Sequence, residues 1–233
     1  MGTLVLLSGG MDSAVAAAWA KRTLPPPYHA LSVDYGSIHN ERELSCARKI
    51  ADLLGMEWHQ ASVVLPHGMA SGLLKGHEWS QRLAEGEQAR ERGLPVSFVP
   101  ARNAILLSLA AGLAYSLSLR HIVGGMHPGD NFGYPDCRQQ FLQSMERALQ
   151  LALDEYPLQF HFPYHTLLQG EGDAVEAKAT VIRLAQHMDV LPLLKYTHTC
   201  YQGQYPPCGQ CAACQLRAKA FERAGIADPL LTG

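Results

Sequence analysis

The segment that most constrains the fold lies near the start of the chain, where a short apolar run passes through two glycines into an alanine-rich stretch. Thr3–Leu7 (TLVLL) is apolar, is bounded by glycine and is too short for a helix, which indicates a buried strand. Ser13–Lys21 (SAVAAAWAK) predicts a helix that ends before the prolines at Pro25–Pro27. A buried strand that leads directly into a helix is typical of an α/β fold.

The same alternation of strand and helix continues along the chain. Further strands are predicted at Tyr28–Val33, Glu57–Val64 and His121–Gly125. Helices are predicted at His39–Leu54, Ala101–Leu119, Pro135–Leu153 and Asp173–His187, the last of which opens on a capping box. The charged stretch Gly76–Gly93 is predicted to be a solvated helix or a mobile excursion. The pattern as a whole predicts a doubly wound parallel sheet that binds ligands at the carboxyl ends of its strands.

Composition excludes several classes of protein. The 233 residues fit one α/β domain, or one domain with a small appendage, and a hydrophobic content of 47% supplies a core. With 19 Lys and Arg against 21 Asp and Glu, the net charge of −2 argues against nonspecific binding to nucleic acid. No apolar run reaches the roughly 20 residues of a membrane helix, and no basic leader precedes the first strand. We therefore expect a cytoplasmic protein that binds neither nucleic acid nor membrane.

The loop between the first strand and the first helix, Ser8–Ser13 (SGGMDS), has the composition of an anion cradle. Two glycines let the backbone approach a ligand, the helix N-terminus adds partial positive charge, and the two serines add hydroxyl donors. The loop lacks the Gly-Lys-Ser/Thr ending of a Walker motif and the third glycine of a dinucleotide fingerprint. The alternative is a plain glycine turn capped by Asp12 or Ser13.

Five polar residues further along are candidates for contact with a substrate. Arg102, at a predicted helix start (FVPARN), suits a carboxylate or a phosphate, although it could instead pair with a surface acid. In GYPDCR, Tyr134 can stack on a planar heterocycle, Asp136 can accept two N–H bonds from a guanine-like edge, and Arg138 can meet an anion. The alternative there is an irregular loop with a capped helix. Lys178 is a candidate point charge for phosphate, or simply a solvated helical lysine.

Four of the six cysteines cluster late in the chain, at Cys200, Cys208, Cys211 and Cys214, with glycines and prolines between them that allow tight turns. Four thiolates in a compact knuckle suit a structural, tetrahedral zinc ion. An iron–sulfur cluster also takes four thiolates, and two disulfides are a further alternative. Sparse Lys and Arg near the cluster argue against a zinc knuckle that binds RNA.

The loop SGGMDS after the first strand resembles the signature of the PP-loop ATP pyrophosphatases, in which the loop grips the pyrophosphate of ATP. The motifs taken together resemble one family within that group, the 7-cyano-7-deazaguanine synthases of queuosine-precursor biosynthesis. The resemblance rests on SGGMDS, FVPARN, GYPDCR, AKAT, TCY and CGQCAACQLR in this order, and it covers nearly the whole chain. The chain departs from the family at Ser37 and Ile38, where many members carry Gln and Arg before the histidine that is kept here as His39. It also departs at Ala101, where glycine is common.

The resemblance implies an ATP-dependent ligase that converts 7-carboxy-7-deazaguanine and ammonia to 7-cyano-7-deazaguanine through adenylated intermediates. It implies that the nucleotide is held by Ser8, Gly9, Gly10, Met11, Asp12 and Ser13. The candidates for catalysis are Asp12, Lys178 and Arg102, those for substrate binding are Tyr134, Asp136 and Arg138, and those for Mg²⁺ are Asp12 and Asp34. A zinc ion on the four late cysteines and a homodimer are also implied.

The fold expected on this basis is a PP-loop, adenine nucleotide alpha hydrolase-like α/β domain over residues 1–190, with a zinc-binding region over residues 191–233 packed on it. Two other functions stay open at this point. One is a different ATP pyrophosphatase, such as a tRNA thiolase or an NAD or GMP synthetase-like amidotransferase. The other is a zinc-stabilised nucleotide sensor that binds ATP without turnover.

Overall fold

A computed structural model describes residues 1–66, 68–76, 80, 94–130, 133–167 and 173–232. Its centre is a sheet of five parallel strands in the order β3-β2-β1-β4-β5. The strands are β1 (Thr3–Leu6), β2 (Tyr28–Asp34), β3 (Glu57–Ser62), β4 (His121–Val123) and β5 (Gln159–His161). The predicted parallel α/β sheet is thereby confirmed.

Seven α-helices lie in the described part of the chain. They are α1 (Met11–Thr23), α2 (Asn40–Leu54), α3 (Arg102–Ser116), α4 (Gln139–Ala152), α5 (Pro163–Leu167), α6 (Ala174–His187) and α7 (Ala212–Ala224). Short 3-10 turns occur at Pro128–Asp130, Pro135–Cys137 and Leu191–Tyr196. No described helix combines the length and the apolar character that crossing a membrane requires.

The side chains of β1 divide the core between the two faces of the sheet, because successive residues of a strand point in opposite directions. Val5 belongs to a buried cluster with α1, α2, α6 and α7. Leu4 and Leu6 belong to a second cluster, with α3 and α4 on the other face. Both faces are covered, which explains why the strand reads as an uninterrupted apolar run.

The order of the strands reverses between β1 and β4. From β1 the chain first builds outward through β2 to β3, and it then returns to place β4 on the other side of β1. A crevice opens at such a switch point, beyond the carboxyl ends of the two strands that flank it. Here those ends lead into Ser8–Ser13 and into Gly124–His127, so the topology places these two segments side by side.

The last part of the chain packs on the face that carries α1. Leu193, Leu194 and Phe221 are buried in the same cluster as the residues of α1. His198 N–H donates to the carbonyl oxygen of Gly9 at 2.8 Å, so this region also contacts the loop after β1.

Most predicted elements occur with shifted ends. The first helix begins at Met11 rather than Ser13, and the predicted helix Pro135–Leu153 divides into a 3-10 turn and α4. Asp173 caps α6 as predicted, since its carboxylate accepts from Glu176 N–H at 2.7 Å. Nearly all of Gly76–Gly93 lies outside the described residues.

Candidate functional site

The loop after β1 depends on a glycine in a left-handed conformation. Gly9 has a φ of 85°, and a Cβ built on it would lie 2.2 Å from the carbonyl oxygen of Glu43 in α2. Neither the conformation nor the space suits a side chain. The glycine therefore brings the loop directly against the backbone of α2.

The two serines of the loop hold it in shape. The hydroxyl oxygens of Ser8 and Ser13 lie 3.0 Å apart, Ser13 Oγ donates to Gly10 O at 3.0 Å, and Gly10 N–H donates to Ser8 Oγ at 3.3 Å. The bond from Ala14 N–H to Gly10 O, at 3.1 Å, opens α1. The amides of the first turn have no acceptor within the helix, and together with the helix dipole they favour an anion in front of the loop.

Replacing Gly9 with alanine is expected to lower the free energy of unfolding by about 1–3 kcal/mol, through left-handed strain and the contact with Glu43 O. Urea unfolding measures the loss. Gly112 is the control, because it lies in α3 with open space around it. Alanine at that position is expected to stabilise by up to about 1 kcal/mol. Equal stabilities for G9A and the wild type would contradict the close approach described above.

Asp12, in the first turn of α1, is the centre of a charged group contributed by distant segments. Lys178 of α6 donates to its Oδ2 through Nζ, and His127 Nε2 lies 3.9 Å from the same oxygen. Tyr164 of α5 donates its hydroxyl to the backbone carbonyl of Asp12 at 2.7 Å. Three residues from segments far from Asp12 in the sequence therefore converge on it.

The charge state of Asp12 follows from this group. Burial raises the pKa of its carboxyl, but the charges of Lys178 and His127 oppose burial and hold the pKa below its usual range. Asp12 is therefore ionised at neutral pH. Its second oxygen, Oδ1, is buried without a hydrogen-bond partner among the described residues. A buried, unpartnered carboxylate oxygen fits the ligand preference of Mg²⁺.

A cavity of about 220 Å³ opens in front of this loop. Its polar lining includes Ser8, Asp12, Ser13 and Arg102, all of which the sequence had identified as candidates. Its apolar lining comes from the ends of β1 and β2 and from the neighbouring helices, namely Leu6, Leu7, Leu31, Val33, Leu44, Leu106 and Met126. Asp34 lines an adjacent cavity of about 390 Å³, and Tyr35 lines both. The first cavity combines an anion site at one end with an apolar wall, which suits a nucleotide.

Arg102 begins α3 and lies beside Tyr35, and both residues line the cavity. Its guanidinium carbon lies 6.0 Å from the centre of the Tyr35 ring. Burial opposes its charge, but interactions with Tyr35, Tyr134 and Asp136 outweigh burial and raise the pKa of Arg102. Arg102 is therefore a permanent cation at the wall of the cavity.

Asp136 is placed by its contacts with the start of α3. Its Oδ2 accepts from Asn103 N–H at 3.0 Å, and Asn103 Nδ2 donates to the Asp136 carbonyl at 3.1 Å and to Cys137 Sγ at 3.3 Å. Asp136 Oδ1 is buried and makes no hydrogen bond within the described chain. One oxygen of Asp136 is therefore used in holding the helix, and the other remains available to a ligand.

Ala101, the position at which the resemblance implies glycine, has a strained backbone. Ala101 precedes α3 in a left-handed conformation, with a φ of 55°. Glycine adopts this conformation without the roughly 1–2 kcal/mol that an L side chain costs. Replacing Ala101 with glycine is expected to stabilise the protein by about 0.5–1 kcal/mol, once the greater freedom of glycine in the unfolded chain is subtracted. Urea unfolding with an unchanged or lowered midpoint would contradict this account.

None of the three substrate candidates in GYPDCR lines the cavity, and Asp136 is connected to it through Asn103, which does. Tyr134 is half-buried, with its hydroxyl 2.6 Å from Ser97 Oγ and its ring 6.2 Å from that of Phe98. Arg138 is exposed at the start of α4. Neither residue is among those that line the cavity.

The four late cysteines converge. The sulfur atoms of Cys200, Cys208, Cys211 and Cys214 all lie within 4.8 Å of one another. Cys211 N–H donates to Cys208 Sγ at 3.4 Å, and the Sγ atoms of Cys208 and Cys214 are 3.9 Å apart. Tetrahedral zinc with bonds of about 2.3 Å requires thiolates about 3.8 Å apart, so the cluster fits this ion.

Replacing Cys211 with serine is expected to abolish stoichiometric zinc binding and to lower stability, because metal binding at such a site is coupled to folding. Elemental analysis of the purified protein gives the zinc content. Cys46, outside the cluster, is the matched control, and C46S should keep its metal. Full zinc content in C211S would contradict a site built on all four thiolates.

Several residues of the site were not among the sequence candidates. Tyr164 lies in no motif, and Asn103 ends the motif FVPARN without having been assigned a role, so their contacts are visible only in the folded chain. His127, which follows a predicted strand, could be considered from the sequence only as a possible acid–base group or as a histidine that fills a hydrogen-bonding niche. Glu43 and Tyr35 line the cavity from α2 and from the end of β2. The one signal that could have identified such residues is their position in the sequence directly after a predicted strand. Polar clusters that follow parallel strands meet at one edge of the sheet.

Comparison with known proteins identifies relatives of similar length. A family model described as queuosine biosynthesis protein QueC matches residues 2–225. A 7-cyano-7-deazaguanine synthase from Chromobacterium violaceum is 40% identical over 230 residues, which cover 98% of this chain and 92% of the relative. Another 7-cyano-7-deazaguanine synthase, from Laribacter hongkongensis, is 40% identical over 230 residues, which cover 98% of this chain and 93% of the relative.

A similarity to solved structures is much weaker. An NH3-dependent NAD synthetase from Campylobacter jejuni, in complex with a nitrate ion, is 15% identical with a TM-score of 0.35, covering 95% of this chain and 86% of that one.

Proposed function

This chain belongs to the QueC family of queuosine biosynthesis proteins, and on this premise we propose that it makes 7-cyano-7-deazaguanine from 7-carboxy-7-deazaguanine, ammonia and ATP. The observation that carries the proposal is the Ser8–Ser13 loop at the edge of a largely apolar cavity, with Asp12 in the cavity wall and ion-paired to Lys178. That arrangement suits a nucleotide triphosphate whose charge must be neutralised during attack.

ATP binds with its phosphates in front of the loop and its adenosine along the apolar wall. The amides of the first turn of α1 and the hydroxyls of Ser8 and Ser13 supply neutral donors to the phosphates. Gly9, Gly10 and Met11 supply backbone only, which is consistent with the lack of space at Gly9. Arg102 and Lys178 supply the positive charge that the loop lacks.

The reaction removes two oxygens from the substrate, and each removal uses one ATP. A carboxylate oxygen attacks the α-phosphorus and pyrophosphate leaves. Ammonia then displaces AMP, which departs with that oxygen and leaves an amide. The amide oxygen attacks the α-phosphorus of a second ATP and pyrophosphate leaves, after which loss of AMP and of both N–H protons forms the nitrile. Lys178 and Arg102 stabilise the negative charge that develops on the phosphates in both adenylations.

Asp12 has two oxygens with different tasks. Oδ2 fixes the Lys178 ammonium, and Oδ1 is the protein ligand that would hold Mg²⁺. Magnesium, when bound, neutralises charge on two phosphate groups at once. Asp34 remains a second candidate ligand. It lines the adjacent cavity, and its Oδ1 accepts from Gly36 N–H at 2.9 Å.

The deazaguanine ring binds beside the start of α3. Asp136 Oδ1, buried and unpartnered within the described chain, accepts from the guanine-like edge, and Tyr134 packs on the ring. Arg138, exposed at the start of α4, meets an anionic group of the bound substrates. The four late cysteines hold a structural zinc ion, which is supported by their mutual distances. The homodimer, the cytoplasmic location and the division at residue 190 stay predictions.

The reaction is tested by incubating the purified zinc protein with 7-carboxy-7-deazaguanine, ammonium and Mg-ATP and identifying the product by mass spectrometry. The nitrile should form only when all three substrates are present. Omission of ammonium should abolish the nitrile. Turnover of ATP with a tRNA, without turnover of the carboxylic acid, would contradict the proposal.

A further inference from the structure

A second group of metal-ligating side chains lies outside the site described above. His29 on β2 and Glu57 and His59 on β3 place one ligand atom each within 4.8 Å of the other two. They lie near the amino ends of these strands, whereas the Ser8–Ser13 loop follows the carboxyl end of β1. We propose that these three residues form a divalent transition-metal site of the Zn²⁺ class, separate from the cysteine cluster and from the nucleotide pocket.

The register of the sheet brings the three side chains together. His29 pairs directly with Glu57, and Leu31 pairs with His59, so the three residues lie on one face across two neighbouring strands. This is the face of Leu4, since Leu4 pairs with His29. The site is therefore built on two regular strands, which fix the spacing of its ligands better than a loop would.

The distances within the group fit a small cation. His29 Nδ1 is 2.9 Å from His59 Nε2 and 3.6 Å from Glu57 Oε2, and His59 Nε2 is 3.8 Å from Glu57 Oε1. Bonds of about 2.0–2.2 Å at tetrahedral angles separate neighbouring ligand atoms by about 3.3 Å. Each of the three distances is within about half an ångström of this value. The two contacts of Glu57 use different oxygens, so a small rotation of its carboxylate is needed to present one oxygen to both histidines.

The chemistry of the group also fits. Two imidazoles and one carboxylate are ligands typical of Zn²⁺ and its first-row neighbours. The short contact between the two ring nitrogens requires one of them to carry no proton, because one must donate and the other accept. Neutral imidazole is the form that binds metal. The histidine side chains are 8% and 23% exposed, whereas that of Glu57 is 67% exposed, so the open coordination position faces solvent.

The chain contains a matched pair of histidines that lacks the third ligand. His121 on β4 and His161 on β5 bring Nδ1 and Nε2 to 3.0 Å, on the other face of the sheet. No carboxylate joins them among the described residues, and nearby positive charge, including Arg120, disfavours a cation there. Both histidine pairs have the same contact between Nδ1 and Nε2, but only His29 and His59 have a carboxylate beside them, that of Glu57. The pair His121 and His161 therefore serves as an internal control.

The test starts from the full chain with its cysteine cluster loaded with zinc. Isothermal titration with Zn²⁺ and elemental analysis should detect a second zinc per chain in the wild type. Variants E57Q and H59Q should bind it about tenfold or more weakly, since even outer-shell partners of metal sites are worth about 10–100-fold in affinity. H161Q should bind the second zinc like the wild type.

The variants separate a lost site from a lost fold. Glu57 is exposed, so E57Q preserves size and packing, and its circular dichroism spectrum should match that of the wild type. A wild-type protein that takes up no zinc beyond the cysteine cluster would overturn the proposal. The proposal would also be overturned if E57Q and H59Q bound the second zinc as tightly as the wild type. It would equally be overturned if H161Q lost as much affinity for the second zinc as E57Q and H59Q do.

Discussion

Turnover is expected to fall by about 100–1000-fold when Lys178 is replaced with methionine, in line with the removal of one group that stabilises developing charge in other active sites. Lys178 is the cation paired with Asp12, which lines the cavity, and methionine keeps the bulk of the side chain without the charge. Steady-state release of pyrophosphate, measured with saturating acid, ammonium and Mg-ATP, gives kcat for the variant.

The same variant should change the pH dependence of the reaction. Burial raises the pKa of Asp12 and Lys178 lowers it, so removing the lysine should move the acid limb of the kcat profile to higher pH. The exposed Lys219 on α7 is the control, and K219M should leave the profile unchanged. Wild-type kcat in K178M would remove Lys178 from the chemistry.

A second large effect is expected at Arg217, where alanine should lower the free energy of unfolding by about 3–5 kcal/mol, the usual result of leaving a buried charge without its partner. Arg217 donates to both oxygens of Asp228, at 2.6 and 2.8 Å, and both side chains are less than 10% exposed. The same guanidinium donates to Thr197 Oγ1 at 2.8 Å and to Leu194 O at 3.1 Å.

This ion pair supports the segment that joins the two candidate sites. Between Leu194 and Cys200 the chain passes from the core, through the contact of His198 with Gly9, to the cysteine cluster. Urea unfolding of the zinc protein measures the loss, and R223A is the control because Arg223 pairs with Glu176 in solvent. If R217A and R223A had the same free energy of unfolding, the buried Arg217–Asp228 pair would contribute little to stability.

The strand and loop at the start of the chain could be predicted because the signal is local. Thr3–Leu6 is apolar, glycines follow it, and no other element is needed to identify the turn. The cysteine cluster was predictable for the same reason, since its ligands lie within one short stretch.

Other parts of the fold carry too little local information. β5 spans only Gln159–His161 and is held by its pairing with β4, so its three residues show no alternation of their own. Helix α7 begins directly after Cys211, whose role as a candidate metal ligand obscured the helical pattern that follows.

The arrangement around Asp12 could not be predicted because it depends on contacts between distant residues. Tyr164 reaches its backbone from a position 152 residues away, and Lys178 reaches its carboxylate from 166 residues away. The sequence marks Lys178 as a lysine on a helix, and only the packing of α6 beside α1 brings it to the loop. The chemical type of the site residues could therefore be predicted where they belong to a continuous motif. The distances between residues from different segments could not be predicted.

The measurement that tests the central claim most directly follows the oxygen atoms of the substrate. The enzyme is supplied with 7-carboxy-7-deazaguanine labelled with ¹⁸O in its carboxylate, together with ammonium and Mg-ATP, and the products are analysed by mass spectrometry. If the loop presents the α-phosphorus for attack, each nitrile is accompanied by two AMP molecules that each carry one ¹⁸O, and pyrophosphate stays unlabelled. Label in inorganic phosphate, with ADP as the nucleotide product, would contradict the account.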